Sequence, residues 1–262
     1  MPSPTRLNLE ILVLNPIENF DGKQVWRLIP LLEANGDVQM AIDRWLLEQH
    51  KSGKHPPTLR FYTWSPPAIS LGYHQRQYPE FWQNLTWRGQ KLDLVRRPTG
   101  GRAVLHQGDL TYAVITSRIP GSRFQIYEKI CEFLIQGWRS LGVQLLYGTA
   151  GRGYIHNPNC FGTATSADLV LPDGGKLIGS AQLRRGEVIL QHGSIRLQPD
   201  AELFTQVFGK ESFTSIQLPE NLSLDKIIAA LITAACDCFA IQIEVQPLSQ
   251  SEWDEILAKP SS

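Results

Sequence analysis

A thiol in a polar loop and an amine at the head of a strand are the side chains of this sequence best suited to covalent chemistry. Cys160 lies in Asn-Pro-Asn-Cys-Phe-Gly, after a loop and before a strand. A cysteine so placed can act as a nucleophile, since a thiolate forms readily beside a positive charge and attacks carbonyl carbon. A packed, inert thiol would look the same in sequence. Cys131, Cys236 and Cys238 fall on helical stretches and read there as small apolar residues. Cys236 and Cys238 form only Cys-x-Cys, with no second pair and no histidine at ligand spacing, so no metal site is expected. Lys176 opens Lys-Leu-Ile-Gly-Ser-Ala-Gln directly after an Asp-Gly-Gly turn. Alternation places Lys176, Ile178, Ser180 and Gln182 on one face and Leu177, Gly179, Ala181 and Leu183 on the other. The small residues Gly179, Ser180 and Ala181 imply that something packs close to this strand. A lysine at a strand's first residue is otherwise an ordinary solvated charge. In Ile-Leu-Gln-His-Gly-Ser-Ile, His192 and Gly193 bring a polar group and a backbone gap to the next strand, although a lone histidine of this kind is commonly structural.

The second constellation is Arg-Arg-Pro-Thr-Gly-Gly-Arg-Ala-Val-Leu-His, residues 96–106. A tight turn needs one glycine and no arginine. Gly100 and Gly101 with Arg96, Arg97 and Arg102 suit a place where backbone approaches a ligand bearing negative or polar groups. The stretch lacks the G-x-x-x-x-G-K-S/T and G-x-G-x-x-G patterns of phosphate-binding loops, and strand follows it rather than helix. A hairpin with a structural glycine pair accounts for it equally well.

The elements that must position these groups are short. Helical period predicts a face of Val38, Ala41, Ile42, Trp45 and Leu46 after Asn35-Gly36-Asp37, and a stripe from Ile126 to Leu141 ending at Gly142. Further helices are expected over Pro199 to Phe208, after a Ser223 cap, and after Ser251, where Ser251 to Asp254 resembles a capping box. Strands are expected at LEILVL, LRFYTW, AISLGY, KLDLVR, AVLH, LTYAVITS and VQLLYG. From Ala167 a meander turns at residues 172–175 and 184–187. Residues 50–58 and 148–159 read as connections. Strands in clusters with helices between the clusters imply an α+β fold with a largely antiparallel sheet.

With 262 residues the chain can bury a substantial core. Its 25 basic and 25 acidic residues leave no excess positive charge for an extended nucleic-acid surface. Four cysteines make no secreted disulfide framework. No apolar run approaches the ~20 residues that span a bilayer, and the N-terminus lacks signal-peptide features. A soluble cytoplasmic protein is expected, binding neither nucleic acid nor membrane.

Taken in order, MAIDRWLLE (40–48), SLGYHQ (70–75), RRPTGGRAVLH (96–106), NCFGTATSADLVL (159–171), GGKLIGSAQ (174–182) and ILQHGSI (189–195) resemble the lipoyl/biotinyl protein ligase superfamily. They span roughly residues 38–200. Within it the chain looks most like the octanoyltransferases, which carry a nucleophilic cysteine ahead of the lysine. ATP-using lipoate ligases commonly follow their glycine loop with His-Asp, whereas here Gln107 follows His106. They also often carry an accessory C-terminal domain, whereas here the residues after Gln198 read as helices and a strand completing the same domain.

The resemblance implies one α+β domain over residues 1–262, of the class II synthetase/biotin ligase type, with a mixed, largely antiparallel sheet flanked by helices. It implies an acyl thioester on Cys160, with Lys176 acting on it. Around that pair it implies a substrate pocket drawn from Arg97, Gly100, Gly101, Arg102, His106, Gly179, Ser180, Gln182, His192 and Gly193. The implied donor is octanoyl-acyl carrier protein. The implied acceptors are lipoyl domains, those of the H protein and of 2-oxoacid dehydrogenase E2 subunits. Exchange between thioesters is near neutral and aminolysis runs downhill, so no ATP or other cofactor is required. The arginines of the glycine loop could steer an acidic carrier domain or a pantetheine phosphate, or be structural. Three other readings stay open: an ATP-dependent lipoate or octanoate ligase, an amidotransferase taking octanoate from H protein, and a non-catalytic module that binds lipoyl domains.

Overall fold

The computed structural model describes residues 22–148, 168–209 and 215–258. In chain order its elements are strand β1 (Gln24–Ala34), helix α1 (Gly36–Lys51), β2 (Thr58–Trp64), β3 (Ala68–Leu71), a 3-10 turn (Glu80–Asn84), β4 (Thr86–Trp87), β5 (Gln90–Lys91), β6 (Asp93–Arg96), β7 (Val104–His106) and β8 (Asp109–Ser117). There follow α2 (Arg123–Ser140), β9 (Leu146–Tyr147), β10 (Asp168–Val170), β11 (Lys176–Arg185), β12 (Val188–Arg196), α3 (Ala201–Phe208), α4 (Leu224–Phe239), β13 (Ile241–Val245) and α5 (Gln250–Ala258).

Side chains fix the helix starts. The Asn35 side chain accepts from the Val38 amide ahead of α1, and Ser122 and Gln125 close a reciprocal capping box ahead of α2. Asp200 and Ser223 cap α3 and α4. Gly142 and Gly209, with φ of 80° and 90°, let the chain leave α2 and α3. The box at α5 belongs to Ser249 and Glu252: each amide meets the other's side chain, at 2.7 and 3.3 Å. That corrects the expectation of Ser251 and Asp254, and α5 starts a residue earlier than Ser251.

The main sheet runs β13-β1-β2-β8-β12-β11-β10-β9. Its first strands are parallel, β13 to β1 and β1 to β2, and the remaining pairs are antiparallel. A smaller sheet, β6-β3-β7, holds the glycine loop between β6 and β7. The α+β expectation with a mixed sheet is met. β1 is absent from the expected strands, because Pro30 cannot donate to a ladder; the register shifts between Ile29 and Leu32, so the proline sits at an irregularity. The expected strand LEILVL and all but Gly148 of the connection 148–159 lie outside the described residues. The second hairpin turn is also shorter than expected, since β11 runs on through Arg185.

Helices α2 and α4 cover one face of the main sheet through Ile130, Phe133, Leu134, Trp138, Ile227 and Leu231, all buried. A Cβ at Gly137 would fall 2.8 Å from Leu231 Cδ2, so this glycine sets how closely the two helices cross. Helices α1 and α5 cover the other face with Met40, Ile42, Trp45, Leu46 and Ile256. Each such side chain contributes about 1.5–3 kcal/mol on leaving water. The small sheet packs a third cluster, including Ile69, Leu71, Trp82 and Leu203. Among the described residues no helix is long and apolar enough to cross a membrane.

Candidate active site

The small sheet lays the glycine loop over the middle of the main sheet, and the loop's own arginines hold it there. Arg97 donates through Nη1 to the Ser70 carbonyl (2.8 Å) and through Nη2 to the carbonyls of Gly100 (2.8 Å) and Arg102 (2.7 Å). Arg96 donates to the carbonyls of Gly72 and Gln75, both at 2.7 Å. A loop this tight turns several carbonyls inward, and a guanidinium fork can satisfy more than one at once. Gly101 has φ 95°, and a Cβ on it would meet Arg97 Nη2 at 2.7 Å. On the facing turn, a Cβ at Gly72 would lie 1.8 Å from the Gly101 carbonyl oxygen, so this contact tolerates glycine alone.

Beneath the loop lies a cavity of about 50 Å³. Of the residues expected at the site, Arg97, Gly101, His106, Gly179, Ser180, His192 and Gly193 line it. Gly100 and Gln182 line a separate outer basin of about 420 Å³. Arg102 lines neither and gives its carbonyl to Arg97. Pairing of Ser180 with Gly193 and of Ala181 with His192 brings β11 and β12 together under the cavity. A Cβ at Gly193 would come within 2.5 Å of Ser180 Oγ and 2.7 Å of the Gly179 carbonyl, so the gap expected at this glycine is filled by its neighbouring strand.

Both pocket histidines are held by carboxylates. His192 Nδ1 is 2.7 Å from Asp43 Oδ2, and its Nε2 is 2.6 Å from Thr99 Oγ1 in the glycine loop. Asp43 also accepts from Arg60 Nη1 and from the Tyr62 hydroxyl, each at 3.0 Å. Burial alone would raise the Asp43 carboxyl, but the Arg60 charge and the bonds from His192 and Tyr62 outweigh it and hold it below the ordinary carboxylate range. An ionised Asp43 can only accept, so His192 donates to it from Nδ1, and Nε2 faces the Thr99 hydroxyl.

His106 repeats the pattern: Nδ1 is 2.8 Å from Asp109 Oδ2 and Nε2 is 2.8 Å from Ser70 Oγ. Asp109 Oδ2 also accepts from Ser194 Oγ at 2.7 Å. Trp64 stacks on the imidazole with ring centres 3.9 Å apart. Burial depresses the His106 pKa in spite of Asp109, which favours the neutral ring.

Lys176 is only 4% exposed and its Nζ lies 2.9 Å from Asp168 Oδ1. The reading of a solvated strand-head lysine is therefore wrong: an ion pair holds it inside, where an unpartnered charge would be costly. It lines neither cavity. Cys160 lies outside the described residues. Cys131 is buried, with its thiol pushed up to about 12 by burial, and is inert packing as expected. Cys238 is exposed, so its helical position does not make it a packed apolar residue. No group of metal ligands occurs among the described residues.

The sequence does not single out Asp43, Tyr62, Ser70, Thr99 or Asp109. It carries a faint signal for two of them. Gln39 and Asp43 stand a helical turn apart on the buried side of α1, where polar residues need partners. His106-x-x-Asp109 is the other local hint, but nothing local ties Thr99 to His192 or Tyr62 to Asp43.

Residues 35–235 match the family model of the lipoyl protein ligase A/B catalytic domain. Octanoyltransferase LipM of Kyrpidia tusciae is 42% identical over 190 residues, 68% of this chain and 68% of its own. Octanoyltransferase LipM of Brevibacillus brevis is 40% identical over 246 residues, 89% of this chain and 84% of its own. Among solved structures, a putative lipoate protein ligase of T. acidophilum with bound lipoic acid is similar with a TM-score of 0.71 at 22% identity, covering 88% of this chain and 93% of that one. A lipoate-protein ligase A bound with ATP has the same score and identity, covering 88% and 92%. At such identities the structural likeness establishes a fold and leaves the reaction open.

Proposed function

The chain belongs to the lipoyl protein ligase A/B catalytic-domain family and is an acyltransferase, and from that premise we propose that it carries octanoate from octanoyl-acyl carrier protein to a lysine of lipoyl domains through a thioester on Cys160. The observation that carries the reading is the kinship with octanoyltransferases at 40% identity over 89% of the chain. The inner cavity supports it. Its walls are backbone at Gly101, Gly179 and Gly193 and apolar at Met40, Trp64 and Val104, suited to the thioester end of an unbranched chain.

In the first step the Cys160 thiolate attacks the donor carbonyl carbon. The new C–S bond forms as the bond to the pantetheine sulfur breaks, and that thiolate leaves and takes up a proton. In the second step the acceptor amine attacks the enzyme thioester, a C–N bond replaces the C–S bond, and the amine gives up its proton. Lys176 is the charged partner that favours the Cys160 thiolate; it gives a proton to the departing pantetheine sulfur and, then neutral, takes the proton of the acceptor amine. His106 and His192, each fixed by its carboxylate, hold the glycine loop and the cavity wall in place. The reaction needs no ATP.

Purified protein mixed with octanoyl-acyl carrier protein and an unmodified lipoyl domain tests this. Octanoylation without ATP, with a protein mass raised by one octanoyl group, is the expected result. Strict ATP dependence with free octanoate would turn the assignment into a ligase.

A further inference from the structure

The outer basin is bordered by His74, Arg123, Arg184 and Arg185, and no carboxylate lines it among the described residues. Its position relative to the inner cavity is set by chain continuity. Gly101 lines the cavity and Gly100 the basin; Ala181 lines the cavity and Gln182 the basin. The two linings are thus adjacent along the chain at the glycine loop and on β11. A linear substrate with its acyl end inside and its far end in the basin crosses that seam.

The charges of the basin differ from those of the glycine loop. Arg96 and Arg97 are taken up by main-chain carbonyls. Arg123, Arg184 and Arg185 are exposed and meet no carboxylate among the described residues. The nearest acid in sequence, Glu187, pairs instead with Arg118 at 3.7 Å. Three such guanidinium groups around a concave surface give the basin a local positive charge in a chain of formal net charge zero.

We propose that this basin binds the phosphate of the donor's phosphopantetheine arm, and so selects phosphorylated pantetheine thioesters over unphosphorylated ones. This rests on the reading that the acyl group arrives as a thioester. The phosphate stands at the far end of the pantetheine from the sulfur. An anchor outside the seam therefore sets how deep the thioester sits, and arginine suits a phosphate because its fork can donate two parallel bonds. The phosphate can come from a carrier protein's arm or from coenzyme A, and the experiment separates the two.

Transfer is measured with octanoyl-acyl carrier protein, octanoyl-coenzyme A and octanoyl-pantetheine, using the wild type, Arg123→Gln and the double variant Arg184→Gln/Arg185→Gln. All three arginines are exposed, so melting temperatures should be unchanged. The wild-type KM should be lower for the phosphorylated donors by about tenfold. The variants should raise those KM values several-fold, leave kcat alone, and leave octanoyl-pantetheine unaffected. Added salt should act as the substitutions do. Equal KM for phosphorylated and unphosphorylated donors overturns the proposal. A loss confined to the carrier-protein donor overturns it too, since that would mark a protein-docking face. ATP binding that disappears in the same variants, without discrimination between donors, would assign the basin to a nucleotide. Calorimetry with 4′-phosphopantetheine and with pantetheine scores the basin even if no thioester donor is turned over. In that case the failure falls on the transfer reading rather than on the anion site.

Discussion

Thr99 Oγ1 lies 2.6 Å from His192 Nε2, and the opposite nitrogen of that ring lies 2.7 Å from Asp43. The glycine loop is thereby tied to helix α1 through one imidazole of β12. Thr99→Val keeps the shape and removes the tether. It should cost about 1 kcal/mol of stability, the size of one hydrogen bond. Its effect on transfer should be larger, because the loop forms the roof of the cavity. Urea unfolding beside single-turnover rates checks this; equal losses in both would reduce the tether to plain fold stability.

Asp43→Asn should be far more damaging. It leaves Arg60 fully buried without its carboxylate, a change of about 3–5 kcal/mol. The native-state pKa of Asp43 is depressed, so its contribution is present above the unfolded value near 4 and is lost as pH falls below that. His106 acts higher up. Its folded pKa is also depressed, so the unfolded chain binds its proton first and stability declines as pH falls through about 6.5. Unfolding free energy measured from pH 7 to pH 3 should fall in two stages, and the lower one should be smaller in the variant, with Glu252 still contributing to it.

The two glycines of the loop should separate. A Cβ added at Gly100 would have nothing within 4 Å, so Gly100→Ala should change stability by less than about 0.5 kcal/mol. Gly101 combines φ 95° with a contact to Arg97, so Gly101→Val should lower stability as well as activity. A glycine that merely bordered a ligand would cost activity alone; the positive φ and the guanidinium beneath add the loss of stability. Thermal melts of both variants decide it.

Reactivity should divide the cysteines. Cys131, with a thiol near 12 and burial on all sides, should resist iodoacetamide at pH 8 in the native protein. Cys238 is exposed and should be modified slowly. Under the proposed mechanism Cys160 should react fastest, and octanoyl donor should block that reaction. Peptide mapping reads all of these, and rapid labelling of Cys131 would contradict the packed-thiol assignment.

Much of this architecture is legible in the sequence because local chemistry marks it. Ser223 announces a helix as the residue that satisfies its first free amides, and the turn at Asn35-Gly36-Asp37 marks the start of another. Strand β1 is hidden by Pro30, whose effect on pairing depends on where the neighbouring strands fall. The site divides in the same way. Glycines and arginines at 96–102 signal a backbone-lined loop, yet whether the arginines serve ligand or carbonyl depends on the curvature the loop takes. Asp43 and His192 meet across 149 residues, and no local pattern announces such a pair. Lys176 looks like surface because its partner, Asp168, becomes its neighbour only when β10 and β11 pair.

That ion pair sharpens the test of Lys176. Under the proposed mechanism its ammonium favours the Cys160 thiolate, while Asp168 draws on the same charge from 2.9 Å. Lys176→Met should therefore raise the Cys160 pKa and slow acylation. Asp168→Asn removes the competing carboxylate and should lower it. Each tenfold change in the acid constant of the thiol corresponds to about 1.4 kcal/mol of preference for the thiolate. Both substitutions break a buried pair, so both should destabilise the fold by about 3–5 kcal/mol, which makes melting curves the necessary control. The opposed directions are what loss of stability alone cannot produce. The measurement is the pH dependence of Cys160 alkylation in folded wild type and both variants. Profiles that move in opposite directions support the pairing, and profiles that coincide with wild type would show that Lys176 serves Asp168 and the fold alone.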